Sequence, residues 1–340
     1  MEKARAVREP IRVAVVGVGS MGRNHARIYS SLKAVELVAV VDADLEVAEE
    51  SARLYGCDAA AKIAEVEDRI DAASVAVPSS AHAEIACSLL AKGIHCLVEK
   101  PLALSEKDCL SMIKAAKNSN AVLAVGHTER FNPAVLQLNK ILASSETAVA
   151  VEAHRLDAVS RIVDVDVVAD LMIHDIDIAL DLLQGELIDI VARGVRSPDQ
   201  RGFDHATALL TFSTGAIASV TASRITQNQV RSLHVTTRRR FFSLDYLQQQ
   251  LSIWTRGSLG NLDDDPYDLS QHRFESRTER VLVRRTEPLL VEILNFITSV
   301  RGDAVPAVSA EQALASLRVV WSIQQSLEAG TIKSHQFKEQ

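Results

Sequence analysis

The stretch that most limits what this chain can fold into is residues 11–42. Ile11-Arg12-Val13-Ala14-Val15-Val16 is a short, apolar, largely β-branched run that stops at Gly17-Val18-Gly19-Ser20-Met21-Gly22, the pattern of a strand entering a glycine turn. In a dinucleotide-binding turn the first glycine permits the tight bend, the second lets the backbone approach a pyrophosphate, and the third lets the helix pack on the sheet. Gly17, Gly19 and Gly22 stand at those places. Residues 20–32 contain no proline and predict a helix. Its first turn, with Ser20 and Met21, aims N–H groups and a partial positive charge at phosphate oxygens. A second apolar run, 35–41, closes at Asp42, which lies 20 residues beyond Gly22. An acid there accepts hydrogen bonds from ribose hydroxyls and repels a 2′-phosphate, which favours NAD over NADP.

Apolar strands and helical patterns then alternate. Residues 45–54 predict a helix closing at Gly56, 72–77 a strand ending at Pro78-Ser79-Ser80, and 83–91 a helix with His82 at its start. A strand at 94–98 ends at Glu99-Lys100-Pro101, a helix at 105–117 is capped by Ser105, and a strand at 121–125 ends at Gly126-His127. Such alternation predicts a parallel sheet covered on both faces. Ligands of these sheets lie beyond the carboxyl ends of the strands. Pro78, Ser79, His82, Glu99, Lys100 and His127 are therefore candidates for the cofactor side.

The alternation lapses after His127. Asn132-Pro133 reads as a helix cap followed by proline in the first turn, opening a helix to about 142. A strand at 147–154 and a long apolar helix at 167–184 follow, then strand-like runs at 187–195, 206–212, 216–222, 231–237 and 240–244. Short turns separate these runs, as antiparallel neighbours require. Residues 256–278 read as a long surface loop, and 288–300 and 310–328 as two closing helices. The expected fold is α/β: a Rossmann parallel sheet over 1–127, followed over 128–340 by an α+β domain with an open, mostly antiparallel sheet for substrate binding and oligomerisation.

Composition narrows the partners. Of 340 residues, 47% are hydrophobic and 24% charged, which gives ample core for a soluble chain. A net charge of −7 and an aromatic content of 4% argue against a nucleic-acid partner. Cys57, Cys87, Cys96 and Cys109 match no zinc or redox spacing and read as small buried hydrophobes in a reducing compartment. No stretch has the length of a signal peptide's apolar region or of a membrane span. A cytoplasmic protein with no membrane contact is expected.

Three groups of residues carry chemistry. Lys100 sits at a strand end before proline, where a partly desolvated ammonium beside a nicotinamide would donate to a developing alkoxide; an exposed lysine at a strand end is the plain alternative. In the helix 168–184, Asp170, His174, Asp177 and Asp181 fall at i, i+4, i+7 and i+11 and form one polar stripe among Leu171, Ile173, Ile176, Ile178 and Leu180. That stripe suits an imidazole oriented by a carboxylate. It also suits part of a metal site, though no further histidine stands at helical spacing and no metal is expected, or a solvated face. The third group is His127 with Arg130 and Asn132. Arg130, Arg155 and Arg161 are candidates for holding an anion, and Arg238-Arg239-Arg240 reads as a solvated strand or an oligomer contact.

Taken together, Gly17-Val18-Gly19-Ser20-Met21-Gly22, Glu99-Lys100-Pro101 and the Asp170/His174 pair resemble the glucose-fructose oxidoreductase and inositol dehydrogenase family, Gfo/Idh/MocA. The resemblance implies NAD or NADP, sugar or cyclitol substrates, a homodimer or homotetramer built on the open sheet, and a catalytic set of Lys100, Asp170 and His174. Where a glycine pair often precedes the aspartate motif, Asp164-Val165-Asp166-Val167-Val168-Ala169 stands here. The segments His127-Thr128-Glu129-Arg130-Phe131-Asn132-Pro133 and Asp170-Leu171-Met172-Ile173-His174-Asp175-Ile176-Asp177 are most similar to the branch that oxidises C3 of UDP-linked N-acetylamino sugars. Oxidation of a free cyclitol or free sugar, and an NAD-binding regulator without turnover, are the alternatives.

Overall fold

The structure is a computed structural model and describes residues 9–158, 166–197, 202–256 and 276–330. Two compact units emerge. One runs through Phe131 and takes up Glu287–Ala315; the other comprises Asn132–Thr286 and the segment from Ser316 onward.

The first unit begins with β1 (Ile11–Val16), α1 (Ser20–Ser31), β2 (Val35–Val41), α2 (Leu45–Tyr55), β3 (Asp58–Ala60) and β4 (Ala72–Val75). It continues with α3 (His82–Ala91), β5 (His95–Glu99), α4 (Glu106–Ser119) and β6 (Leu123–Gly126). The strands form one sheet in the order β3-β2-β1-β4-β5-β6, and every pair is parallel. Val13, Ala14 and Val15 are fully buried, which is why β1 reads as a continuous apolar run rather than an alternating one. Helix ends follow local chemistry. Asp44 accepts from the N–H groups of Glu46 and Val47, Ser105 accepts from Asp108 N–H, and Gly56 closes α2 with a left-handed φ of 69°. The short β3 escaped the sequence reading because three residues carry too little periodicity.

The second unit holds α5 (Pro133–Ser145), β7 (Ala148–Ala158), α6 (Ile173–Leu182), β8 (Leu187–Val195), β9 (His205–Phe212), β10 (Ile217–Ser223), β11 (Ile225–Thr237), β12 (Arg240–Asp245), β13 (Gln250–Arg256) and β14 (Ser276–Val281). Asn132 caps α5 through the N–H of Ala134, with Pro133 in the first turn. The eight strands run β14-β13-β12-β11-β7-β10-β9-β8; β7 and β10 pair in parallel and all other neighbours are antiparallel. Burial alternates along β9 and β10, so one face is core and the other open. Two expectations need correction. The span 256–278 is not wholly loop, since Ser276 onward pairs with β13 as β14; residues 257–275 lie outside the described residues. The helix 167–184 is not uniformly α, since Val168–Met172 forms a wider π turn before α6.

The chain then returns to the first unit through α7 (Pro288–Val300), whose Leu289, Ile293, Phe296 and Ile297 join the core of Ile11, Val13, Ile28 and Tyr29. The last helix, α8 (Ala310–Ala329), opens in the first unit and belongs to the second from Ser316. A division into 1–127 and 128–340 leaves out this return crossing, because an amphipathic helix does not reveal which sheet it covers. Among the described residues, no helix is long and apolar enough to cross a membrane.

Candidate active site

The glycine turn is built as its residue types require. Gly17 has φ +86°, and a Cβ there would lie 2.6 Å from Ala76 O. A Cβ on Gly22 would lie 1.7 Å from Gly17 O, so only glycine lets α1 start against the turn. A Cβ on Gly19 would meet nothing within 4 Å, which leaves the approach to the first N–H groups of α1 open. Ser20 and Met21 are exposed in that first turn. Asp42, just beyond β2, accepts the backbone N–H groups of Val18 and of Asp44. An open backbone approach, a helix amino end and an acid beyond the second strand together fit NAD.

Because the sheet is parallel, the carboxyl ends of its strands share one edge. Pro78 and Ser79 follow β4, Lys100 follows β5 and His127 follows β6. His82 is buried, with Nδ1 3.0 Å from Pro101 O and Nε2 2.9 Å from Val77 O. Its imidazole thus lies between the segments leaving β4 and β5; burial lowers its pKa, while the two carbonyls favour the charged ring that alone could donate to both. Lys100 is half-buried, and the Lys100–Pro101 peptide is cis. His127 is buried, and its carbonyl accepts the N–H of Arg130, itself buried in the 3-10 turn Thr128–Phe131.

Glu99 is turned into the interior of the first unit. Its Oε1 accepts from His25 Nε2 at 2.9 Å, and its Oε2 lies 3.3 Å from the N–H of Lys100. His25 Nδ1 meets Ser74 Oγ at 3.0 Å, and Tyr29 OH meets the same oxygen at 2.8 Å. Burial pushes the Glu99 carboxyl up, but the bond and charge of His25 and the charge of Lys100 outweigh it and hold the group below the usual carboxylate range. The buried Glu292 of α7 goes the other way, because burial and the negative charge of Glu99 push its carboxyl well above that range.

The second unit holds the other candidates. Asp166 caps the π turn by accepting from Val168 N–H and Ala169 N–H. Asp170 is buried within that turn and His174 is half-buried in the first turn of α6. The expected four-residue polar stripe divides. Asp177 accepts from Ser316 Oγ at 3.1 Å, and Asp181 accepts from Asn139 Nδ2 at 2.9 Å, so the distal acids serve packing between helices. Asp175, outside the stripe, takes Arg155 in a buried bidentate pair, Nε to Oδ2 at 2.7 Å and Nη2 to Oδ1 at 3.1 Å. The Arg155 guanidinium also lies 5.1 Å from the centre of the Tyr246 ring, and Asn132 Nδ2 donates to Tyr246 O. Arg155 is thereby tied into the framework of the second unit through Asp175, next to His174 in the chain, a different position from the open anion contact expected of it. Arg161 lies outside the described residues.

Sequence reasoning missed His25, Ser74, Glu292 and Asp175. Ser74, Glu292 and Asp175 are polar residues inside apolar elements, and that was the available signal; His25 instead shares the buried face of the largely polar α1 with Gly22, Ala26, Ile28 and Tyr29. All four cysteines are free thiols, and burial pushes Cys57 and Cys109 up to about 11, in keeping with inert packing groups. No group of three or more metal-ligating side chains occurs among the described residues.

Comparison with known proteins follows the same division. Residues 11–127 match the family model for the oxidoreductase family with NAD-binding Rossmann fold, and residues 155–241 match that for the GFO/IDH/MocA C-terminal domain. The chain is 33% identical to UDP-N-acetylglucosamine 3-dehydrogenase of Acidithiobacillus ferrooxidans over 85% of this chain and 88% of that protein. It superposes on a solved structure of that enzyme with a TM-score of 0.86 at 31% identity, covering 95% of this chain and 99% of the other. Inositol 2-dehydrogenase of Rhizobium meliloti is 25% identical over 90% of this chain and 94% of that protein. Levoglucosan dehydrogenase in complex with NADH and levoglucosan shares the fold, with a TM-score of 0.80 at 20% identity over 94% of this chain and 98% of the other. The chain therefore belongs to the Gfo/Idh/MocA family and is an NAD-dependent sugar dehydrogenase acting on CH–OH groups.

Proposed function

We propose that the chain oxidises the C3 hydroxyl of a UDP-linked N-acetylamino sugar to a 3-keto sugar. The observation that carries this reading is the 33% identity, over 88% of its length, to a relative named for that reaction. NAD, when bound, supplies the hydride acceptor. Gly17, Gly19, Gly22 and Asp42 hold it, with Ser20, Met21, Pro78, Ser79, His82, Lys100 and His127 framing its edge of the sheet; Glu99, expected there, is turned into the interior instead. His174 takes the hydroxyl proton, Asp170 orients that imidazole, and Lys100 holds the substrate oxygen and stabilises its developing charge. Arg130 or Arg155 meets the sugar-nucleotide phosphates in this reading.

The test is NADH formation with UDP-N-acetylglucosamine and its uronate set against myo-inositol, scyllo-inositol and free hexoses. Turnover confined to the UDP sugars is the expected result, with Lys100→Ala and His174→Ala each lowering kcat at least about 100-fold. Turnover confined to inositols, to which the 25% identical relatives point, replaces the substrate assignment with a free cyclitol. The open face of the second sheet carries Leu209, Ile217 and Phe241 exposed. That supports a homodimer or homotetramer formed through it, and the four free cysteines are in keeping with a reducing compartment such as the cytoplasm.

A further inference from the structure

The buried polar cluster beneath Lys100 is larger than a strand end requires. Glu99 closes β5 opposite Gly126 of β6, and a Cβ on Gly126 would lie 3.1 Å from the Glu99 carboxyl atoms. The neighbouring strand therefore leaves just the space this carboxylate occupies. From α1, His25 presents Nε2 to it, and whether His25 carries one proton or two, an Nε2–H can donate to an ionised Glu99. Behind His25, Ser74 Oγ lies 3.0 Å from Nδ1 and 2.8 Å from the Tyr29 hydroxyl, which completes a buried chain of polar contacts. The other groups facing Glu99 are Lys100 itself, Glu292 of α7 with Thr128 beside it, and His82 of α3.

We infer that Glu99 is a positioning residue: its buried carboxylate, held by His25, anchors the backbone at Lys100 and so sets where the Lys100 side chain leaves the strand. Burial alone would neutralise an isolated carboxyl here. The contact from His25 and the N–H of Lys100 supply what an anion in this place needs. Burial and the charge of Glu99 raise the Glu292 carboxyl well above the usual range, so it competes less with Glu99 for the negative charge. The inference rests on the role given to Lys100 above.

The experiment labels the free enzyme with a water-soluble amine reagent at pH 8 and quantifies Lys100 by peptide mass spectrometry. Labelling needs no substrate or cofactor. Glu99→Gln keeps the shape and removes the charge, and is expected to raise Lys100 labelling about tenfold as the backbone there is released, the effect of weakening a hydrogen bond to a charged group. His25→Leu should do the same, whereas His25→Gln, which keeps an N–H donor, should stay within about threefold of the parent. In turnover, Glu99→Gln should lower kcat with little change in the KM for NAD. Equal Lys100 labelling in the parent and in folded Glu99→Gln and His25→Leu would overturn the inference. Undiminished turnover by Lys100→Ala would instead remove the proposed role of Lys100, while a labelling change in Glu99→Gln would still establish the anchor.

Discussion

The carboxylate of Asp42 accepts the backbone N–H of Val18 at 2.9 Å, so the acid that follows β2 is held against the glycine turn that follows β1. This bond and the one from Asp44 N–H fix the carboxylate at the edge of the sheet without a basic partner. Asp42→Ala is expected to weaken NAD binding about 10- to 100-fold, the range for losing hydrogen bonds to a charged group. It should also narrow the preference for NAD over NADP. Fluorescence titration with NADH and NADPH measures both.

Two glycines of one motif should behave differently. Gly19 has φ −66° and open space where a Cβ would stand. Gly19→Ala should therefore fold with stability within about 0.5 kcal/mol of the parent and lose at least tenfold in NAD affinity. Gly22→Ala puts a methyl against Gly17 O and should destabilise the first unit by about 3 kcal/mol or more. Urea unfolding followed by NADH titration separates the two outcomes.

Breaking the Arg155–Asp175 pair should be costly, since both side chains are fully sequestered from water. Asp175→Asn leaves a buried guanidinium without its countercharge and is expected to cost about 3–5 kcal/mol. The double variant Arg155→Met with Asp175→Leu should lose less than Asp175→Asn alone. Thermal unfolding of the three proteins at one pH tests this.

Glu292 predicts a pH dependence of stability with a defined sign. Burial and the charge of Glu99 raise its carboxyl well above 4.5. A carboxyl raised in the folded state contributes stability that is fully present below its unfolded value and is lost as pH rises through the folded one. Glu292→Gln removes the penalty for ionisation, so its advantage over the parent should be absent near pH 4 and reach about 1 kcal/mol or more at pH 8. Unfolding midpoints across that range give the curve.

The first sheet was readable because each buried parallel strand is a block of apolar residues punctuated by glycine or proline, as at Val16–Gly17 and Lys100–Pro101. Lys100, His127, Asp170 and His174 stood out for the same reason, as polar groups where apolar ones belong. Arg155 misled because a lone arginine on a strand looks like an anion site until its partner is seen, and Asp175 is 20 residues away. The π turn at Val168–Met172 was invisible, because an apolar run fits 3.6 residues per turn and a wider turn alike. His25 and Glu292 stayed hidden because a residue's neighbours across a sheet cannot be counted along the chain.

The placement of α7 carries a consequence for biosynthesis. Leu289, Ile293, Phe296 and Ile297 complete the core that Ile11 and Val13 begin. The nucleotide-binding unit therefore remains open on one flank until the chain has been made through Ile297. At about 5–20 residues per second, translating from Phe131 to Ile297 takes about 10–30 s. Throughout that interval the nascent amino-terminal sheet exposes the apolar surface that α7 will cover, which makes it a natural client for chaperones that grip nascent chains.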